Sequence, residues 1–60
     1  MKIGAGYDIH LNDGRVVRNC ELNQDISGNF FFLHYGKKSI KYYSVVDVKW
    51  CELTASKFRI

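Results

Sequence analysis

Apolar and polar side chains alternate along several short segments of the chain, and clusters of turn-forming residues separate these segments. From Tyr7 to Leu11 the apolar residues fall at every second position, which is the period of a β-strand with one buried face. Glycine-containing turns follow at residues 12–14, 27–29 and 36–38. The pattern predicts five β-strands, at residues 7–11, 15–23, 29–35, 39–43 and 44–51.

One region departs from simple alternation, and another requires a choice between strand and helix. In residues 15–23, Cys20 and Leu22 fall on one face, but Arg18 interrupts the pattern, which predicts a long and bent strand. Residues 40–51 are rich in Val, Tyr and Trp, which disfavour a helix. Only residues 51–56 favour a short helical turn.

Five short strands joined by tight turns predict an all-β fold, with residues 1–60 forming a single domain. A flat sheet would leave an apolar face and two unpaired edges, so we expect a small five-stranded SH3-like or Sm-like barrel. A domain this small buries only about 60% of the surface of its unfolded chain. Its stability is therefore marginal, and a homo-oligomer is expected.

Charge is distributed unevenly between the two halves of the chain. The net charge of +3 divides into −1 for residues 1–35 and +4 for residues 36–60. A basic half suits an anionic partner such as nucleic acid. The alternative interpretation is a solvated face that keeps the protein soluble.

The sequence lacks a membrane-spanning stretch and the features of a secretory signal. We therefore expect a cytoplasmic protein with no membrane partner. In that compartment Cys20 and Cys51 are expected to be reduced and buried rather than bridged.

The stretch LNDGRVVRNCELNQDISGNFFFL, residues 11–33, resembles the first motif of the Sm-like (Hfq-like) family. Asp13 and Gly14 stand at the family's turn, Asp25 and Asn29 follow at its spacing, and an apolar strand comes next. In the second motif, Ile40, Lys41, Tyr42 and Val45 stand at comparable places, with Lys41 at the usual Arg and Tyr42 at the usual Gly. The family also prefers Gly where this chain has Asn19 and Cys20, and an aromatic residue where it has Gln24.

This resemblance, which covers about residues 9–48, implies a ring-forming subunit that binds RNA. It implies that Asp25 and Asn29 shape a loop and contact a base, and that Lys41 meets a phosphate or a base edge. An unrelated small barrel would use similar turns, so that alternative stays open. The rings of Phe30, Tyr42 and Tyr43 either stack on bases or pack within the fold.

The sequence offers little for metal binding or catalysis. The side chains that could bind zinc are His10, His34, Cys20 and Cys51. No two of them lie within four residues of each other, so the sequence contains no zinc-binding unit of the usual spacing. Cys20 with His34 is the one nucleophile and base that pairing of adjacent strands could bring together. A 60-residue barrel has little concavity to exclude water from such a pair. We expect no enzyme activity, no metal and no cofactor.

Aromatic residues exceed what so small a core can enclose, so some rings are expected to face outward and to mark a binding face. The sequence predicts a non-catalytic binding module for nucleic acid, either RNA or another single strand. The candidate binding residues are Asp25, Asn29, Lys37, Lys38, Lys41, Tyr42 and Tyr43. The alternative is an SH3-like protein-interaction or regulatory module, such as a small phage or bacterial accessory protein, whose Tyr and Trp rings or edge strand accept a peptide.

Overall fold

The computed structural model describes residues 2–54, which form five antiparallel β-strands in one sheet. The strands are β1 (Gly6–Leu11), β2 (Val16–Gln24), β3 (Phe30–Tyr35), β4 (Ile40–Ser44) and β5 (Val48–Leu53). The predicted all-β fold with five strands is confirmed. Within the described residues, no helix has the length and apolar character needed to cross a membrane.

The strand order in the sheet is β4-β3-β2-β1-β5. The first four strands form a meander, and the chain then crosses from β4 to pair β5 with β1. β4 and β5 are the two edges, and the sheet is not closed into a barrel in residues 2–54. The SH3-like or Sm-like barrel therefore stays a prediction.

The core lies on one face of the three central strands. Its buried apolar residues are Tyr7, Ile9, Leu11, Cys20, Leu22 and Phe32. Full burial of a side chain such as Leu or Phe stabilises the fold by about 1.5–3 kcal/mol. Tyr43 from β4 and Val48 from β5 pack against this cluster, so both edge strands contribute to one interior. The predicted alternation of Tyr7, Ile9 and Leu11 toward the core is confirmed.

A β-bulge explains the irregular pattern around Arg18. Tyr7 pairs with Cys20 but Ile9 pairs with Val17, so one residue of β1 faces two residues of β2. Asn19 takes a left-handed conformation, with φ of 58°.

The segment after β4 differs from the prediction in two places. Residues 45–47 belonged to a predicted strand, but Val45–Asp47 form a 3-10 turn whose N-cap is Ser44, with the Ser44 hydroxyl accepting from the Val46 N–H. The helical turn predicted at residues 51–56 is wrong for 51–53, which belong to β5, because this segment pairs with β1. Residues 55 and 56 of that prediction lie outside the described part of the chain.

Candidate functional site

The structure places the seven predicted binding residues on or beside β4. Asp25 and Asn29 lie in the turn between β2 and β3, while Lys37 and Lys38 lie in the turn between β3 and β4. The remaining three lie on β4 itself: Lys41, Tyr42 and Tyr43. Strand β4 therefore has a basic turn at its start and, at its end, the 3-10 turn.

One cleft brings together three of the seven residues. It has a volume of about 390 Å³, and Asp25, Asn29 and Tyr42 line it together with Phe30. The remaining lining residues are Gly28, Ser44, Val45 and Val46. Residues from two turns and two strands thus form one concave surface at the start of β3 and the end of β4.

The Asp25 carboxylate holds the turn beside this cleft. Its Oδ1 atom accepts hydrogen bonds from the backbone N–H groups of Ser27 and Asn29, both at 2.9 Å. The backbone N–H of Asp25 donates to the Asn29 carbonyl at 2.8 Å, which closes the turn. Gly28 lies inside it with φ of 91°, a conformation that favours glycine. Asp25 is therefore a positioning residue for Asn29.

The Asn29 side chain is exposed at the rim of the cleft. Its backbone is fixed by Asp25, but its side-chain amide makes no hydrogen bond to another residue within 2–54. The Phe30 ring beside it is 41% exposed. An amide carries donors and acceptors, so this side chain has the groups needed to bond a polar planar ligand next to an aromatic ring.

Tyr42 is the most exposed aromatic residue of β4, with 63% of its surface accessible. Its ring stacks on the half-buried Phe31 ring, with centroids 5.1 Å apart and an interplanar angle of 29°. Phe31 thus supports one side of the Tyr42 ring while the other remains open to a ligand.

Tyr42 and Tyr43 belong to opposite faces of the sheet, although both line a second cleft at the β4 edge. Adjacent residues of a strand point to opposite sides of the sheet, so Lys41 and Tyr43 lie on the side opposite Tyr42. Tyr43 is half-buried against the core, whereas Lys41 is exposed opposite His34 in the β3–β4 register. The sequence prediction of one continuous basic and aromatic face is therefore too simple at these three positions.

The basic residues near β4 are not neutralised by neighbours. In the described residues, ion pairs join Arg15 to Asp13 and Arg18 to Asp8, and the His10 Nε2 atom lies 3.4 Å from the Glu52 carboxylate. The exposed lysines at 37, 38 and 41 take part in none of these pairs. Their charge is available to an anionic partner.

A second cleft of about 440 Å³ lies on the other side of Tyr42, between β4 and the turn that joins β1 and β2. It contains the carboxylates of Asp13 and Asp47 and one cationic group, Arg15. The backbone N–H and the guanidinium of Arg15 both donate to Asp13 and lower the pKa of that carboxyl below its usual value. This cleft is poorly suited to a phosphate because its negative groups outnumber its positive one.

Two features of β1 were missed by the sequence prediction. Asp8 is fully buried and accepts hydrogen bonds from the Asn19 N–H at 3.0 Å, the Arg18 guanidinium at 3.1 Å and the Thr54 hydroxyl. His10 stacks on Trp50 of β5. In the sequence, the broken alternation at Arg18 was the only indication of the bulge opposite Asp8. The sequence near His10 and Trp50 gave no indication that these two residues pair.

The cysteines are unbridged and lie on the strands either side of β1. Burial and the nearby Asp8 carboxylate raise the pKa of the Cys20 thiol to about 11, and burial also raises the pKa of Cys51. Raised pKa values leave both thiols protonated and weakly nucleophilic at neutral pH. Among residues 2–54, no group of three His, Cys, Asp or Glu side chains has the arrangement of a metal site.

In comparisons with known proteins, no protein-family model matches the chain, and neither a curated protein nor a solved structure matches it. The Sm-like resemblance therefore stays a prediction.

Proposed function

We propose that the protein is a non-catalytic module that binds single-stranded nucleic acid along β4. The observation that carries this proposal is the arrangement of the strand. Unpaired lysines lie at its beginning, the exposed Tyr42 ring lies along it, and the cleft containing Asn29 lies at its end. A cytoplasmic location is part of the same proposal.

The cleft supplies the groups that recognise a base. Aromatic rings that stack on bases contribute about 1–3 kcal/mol per base in single-strand-binding proteins. Tyr42, supported by Phe31, offers an open ring, and Phe30 offers a second partly exposed ring. The Asn29 amide lies in the same cleft and bonds the edge of a base held there.

The lysines supply the contacts to phosphates. Lys38 lies in the turn before β4, four residues from Tyr42, so their Cα atoms are at most about 14 Å apart. A short oligonucleotide spans this distance with its bases toward Tyr42 and its backbone beside Lys37 and Lys38. Lys41 is on the opposite side of this edge strand and would reach the backbone across the edge. RNA and single-stranded DNA share this chemistry, and a 2′-hydroxyl contact would favour RNA.

The base-binding part of the proposal is tested by fluorescence anisotropy with labelled eight-nucleotide RNA and DNA. Tyr42→Ala is expected to weaken binding by about 5- to 100-fold, the equivalent of one lost stacking interaction. Tyr35→Ala is the matched control, because Tyr35 is also exposed, at 55%, but does not line the cleft. Equal affinity of the Tyr42→Ala protein and the wild-type protein would contradict the proposal.

The edges of the sheet support a homo-oligomer as the binding form. β4 and β5 are edge strands, and an exposed edge pairs readily with another chain. Ile40 on β4 and Trp50 on β5 are 62% and 51% exposed. Sedimentation of the pure protein should then give a mass well above 7.0 kDa, and a monomer at high concentration would contradict this assembly.

A five-stranded SH3-like or Sm-like barrel belongs to the same proposal. Tyr43 and Val48 come from opposite edges of the sheet and pack against one core cluster. Further curling of the sheet would enclose that cluster and bring the edges toward each other. The base-binding side of Tyr42 would remain on the outer surface.

A further inference from the structure

A stacked pair of rings lies on the outer face of β1 and β5, at the opposite edge of the sheet from β4. His10 and Trp50 are register partners, and their ring centroids are 3.6 Å apart with an interplanar angle of 7°. Trp50 is nevertheless 51% exposed. His10 thus covers one side of the indole and fixes its orientation, while the indole keeps a large accessible surface.

One partly exposed carboxylate lies beside this pair. Glu52 follows Trp50 by two residues, so both side chains lie on one face of β5. The Glu52 carboxylate is 52% exposed, and its Oε2 atom lies 3.4 Å from His10 Nε2. Asp8 is the register partner of Glu52, and Arg18 is the cation paired with Asp8. Among residues 2–54, Asp8 is buried and its charge is offset by Arg18, so the half-exposed Glu52 carboxylate gives the surface beside Trp50 its negative charge.

We propose that Trp50 and Glu52 form a binding site for an arginine side chain presented by a partner protein. A guanidinium is planar and cationic, so it stacks on the indole surface and pairs with the neighbouring carboxylate at the same time. Both oxygens of a carboxylate can bond the guanidinium fork. A phosphate-bearing ligand would be repelled by the same groups, so charge complementarity selects the cation.

The position on an edge strand suits an extended peptide. β5 is an outer strand of the sheet, and a peptide segment that runs beside such a strand presents alternate side chains to its face. The site goes beyond the proposed nucleic-acid function, since it lies at the other edge and has the opposite charge preference.

The test uses the fluorescence of Trp50, which is the single tryptophan in the sequence. A short acetylated peptide with one arginine is titrated into the full-length protein, and the same peptide with citrulline is the matched ligand. Citrulline keeps the planar shape but has no charge. Saturable quenching is expected with the arginine peptide, with the citrulline peptide at least about fivefold weaker.

Two variants test whether the Glu52 carboxylate itself contacts the peptide. Glu52→Gln should weaken the arginine peptide about five- to tenfold, whereas Glu21→Gln, on β2, should leave its affinity unchanged. Circular dichroism establishes that each variant remains folded. The comparison of the arginine and citrulline peptides uses the wild-type protein, so it does not depend on the folding of a variant. Equal binding of the two peptides would overturn the proposal. A second result would also overturn it. If adenosine monophosphate bound the Glu52→Gln protein more tightly than the arginine peptide bound the wild-type protein, the surface would be assigned to a nucleotide.

Discussion

Asn19 is the residue at which β2 departs from regular strand geometry. Asn tolerates the left-handed conformation better than most residues other than Gly, because its short polar side chain bonds locally. Its side chain lies directly over Gly6, where an added Cβ would come within 2.6 Å of the Asn19 Oδ1 atom. The bulge therefore depends on a pair of residues, one small and one tolerant of positive φ.

This pairing predicts non-additive effects on stability. Gly6→Ala should lower the free energy of unfolding by about 1–2 kcal/mol, because the new methyl group displaces the Asn19 side chain. In an Asn19→Gly background the same change should cost less than half as much, since nothing remains to be displaced. Urea unfolding of the four proteins gives the coupling energy, and strictly additive costs would contradict this account.

Cys20 is a second residue whose environment gives a measurable prediction. The pKa of its thiol is raised from the usual 9.0 to about 11, so the folded chain holds this proton more tightly than the unfolded chain. Between these two values the unfolded chain loses its proton first, and stability should fall as the pH rises. The loss is at most about 3 kcal/mol.

Unfolding in urea at pH 8.5, 9.5 and 10.5 under reducing conditions measures this effect. Cys20→Ala lacks the titrating group and should show a shallower decline, although its stability at pH 8.5 is lower because of the cavity. If both proteins lost stability with the same slope, another group would be responsible.

Alternation in the sequence predicted the buried positions of β1 correctly, but it did not predict the burial of Asp8. The pattern shows which side of a strand is apolar, and Asp8 is on the other side. Its burial depends on donors from Arg18 and Asn19 in the bulge and on Thr54, which is 46 residues away along the chain. Such partners are fixed by strand register, which a single segment does not contain.

At the scale of elements, the turns were easier to predict than the ends of the strands. Turn-forming residues identified the connections around Asp13, Gly28 and Lys37, and the strands begin and end close to them. The 3-10 turn Val45–Asp47 was missed because its Val residues favour a strand. Ser44 followed three residues later by Asp47 was the signal that could have revealed it, since this spacing is typical of an N-cap.

Two substitutions of Asp25, in the turn between β2 and β3, distinguish a structural role of its carboxylate from a role in binding. Asp25→Ala removes the acceptor of two backbone hydrogen bonds and should lower the free energy of unfolding by about 1–2 kcal/mol. Asp25→Asn keeps an acceptor oxygen at the same position and should cost less than half as much. Thermal unfolding measures both variants.

The same pair of variants tests the base contact implied by the Sm-like resemblance. If Asp25 acts only by holding the turn, Asp25→Asn should bind oligonucleotides as well as the wild-type protein or slightly better, because one negative charge is gone. A large loss of affinity in the stable Asp25→Asn protein would instead show that the carboxylate contacts the ligand.

At the scale of the whole molecule, the number of strands could be predicted but the closure of the sheet could not. Alternation and turns define each strand and its apolar side. Closure depends on whether β4 and β5 meet, which is decided by twist, bulges and neighbouring chains rather than by local pattern. The same holds for the candidate site: the lysines and Tyr42 were predicted from the sequence and remain a prediction as binding residues, whereas the cleft that joins Tyr42 to Asn29 is visible only in the fold.

The central claim is that the lysines beside β4 contact the phosphates of a bound single strand. It is tested most directly by the salt dependence of oligonucleotide affinity, measured for the wild-type protein and for a variant with Lys37→Gln, Lys38→Gln and Lys41→Gln. Each phosphate contact to a single strand contributes about 0.7 to the slope of log affinity against log salt, so the variant's slope should be shallower by about two. Lys49→Gln, on the far edge of the sheet, should leave the slope unchanged. An identical slope in the triple variant and the wild-type protein would contradict the claim.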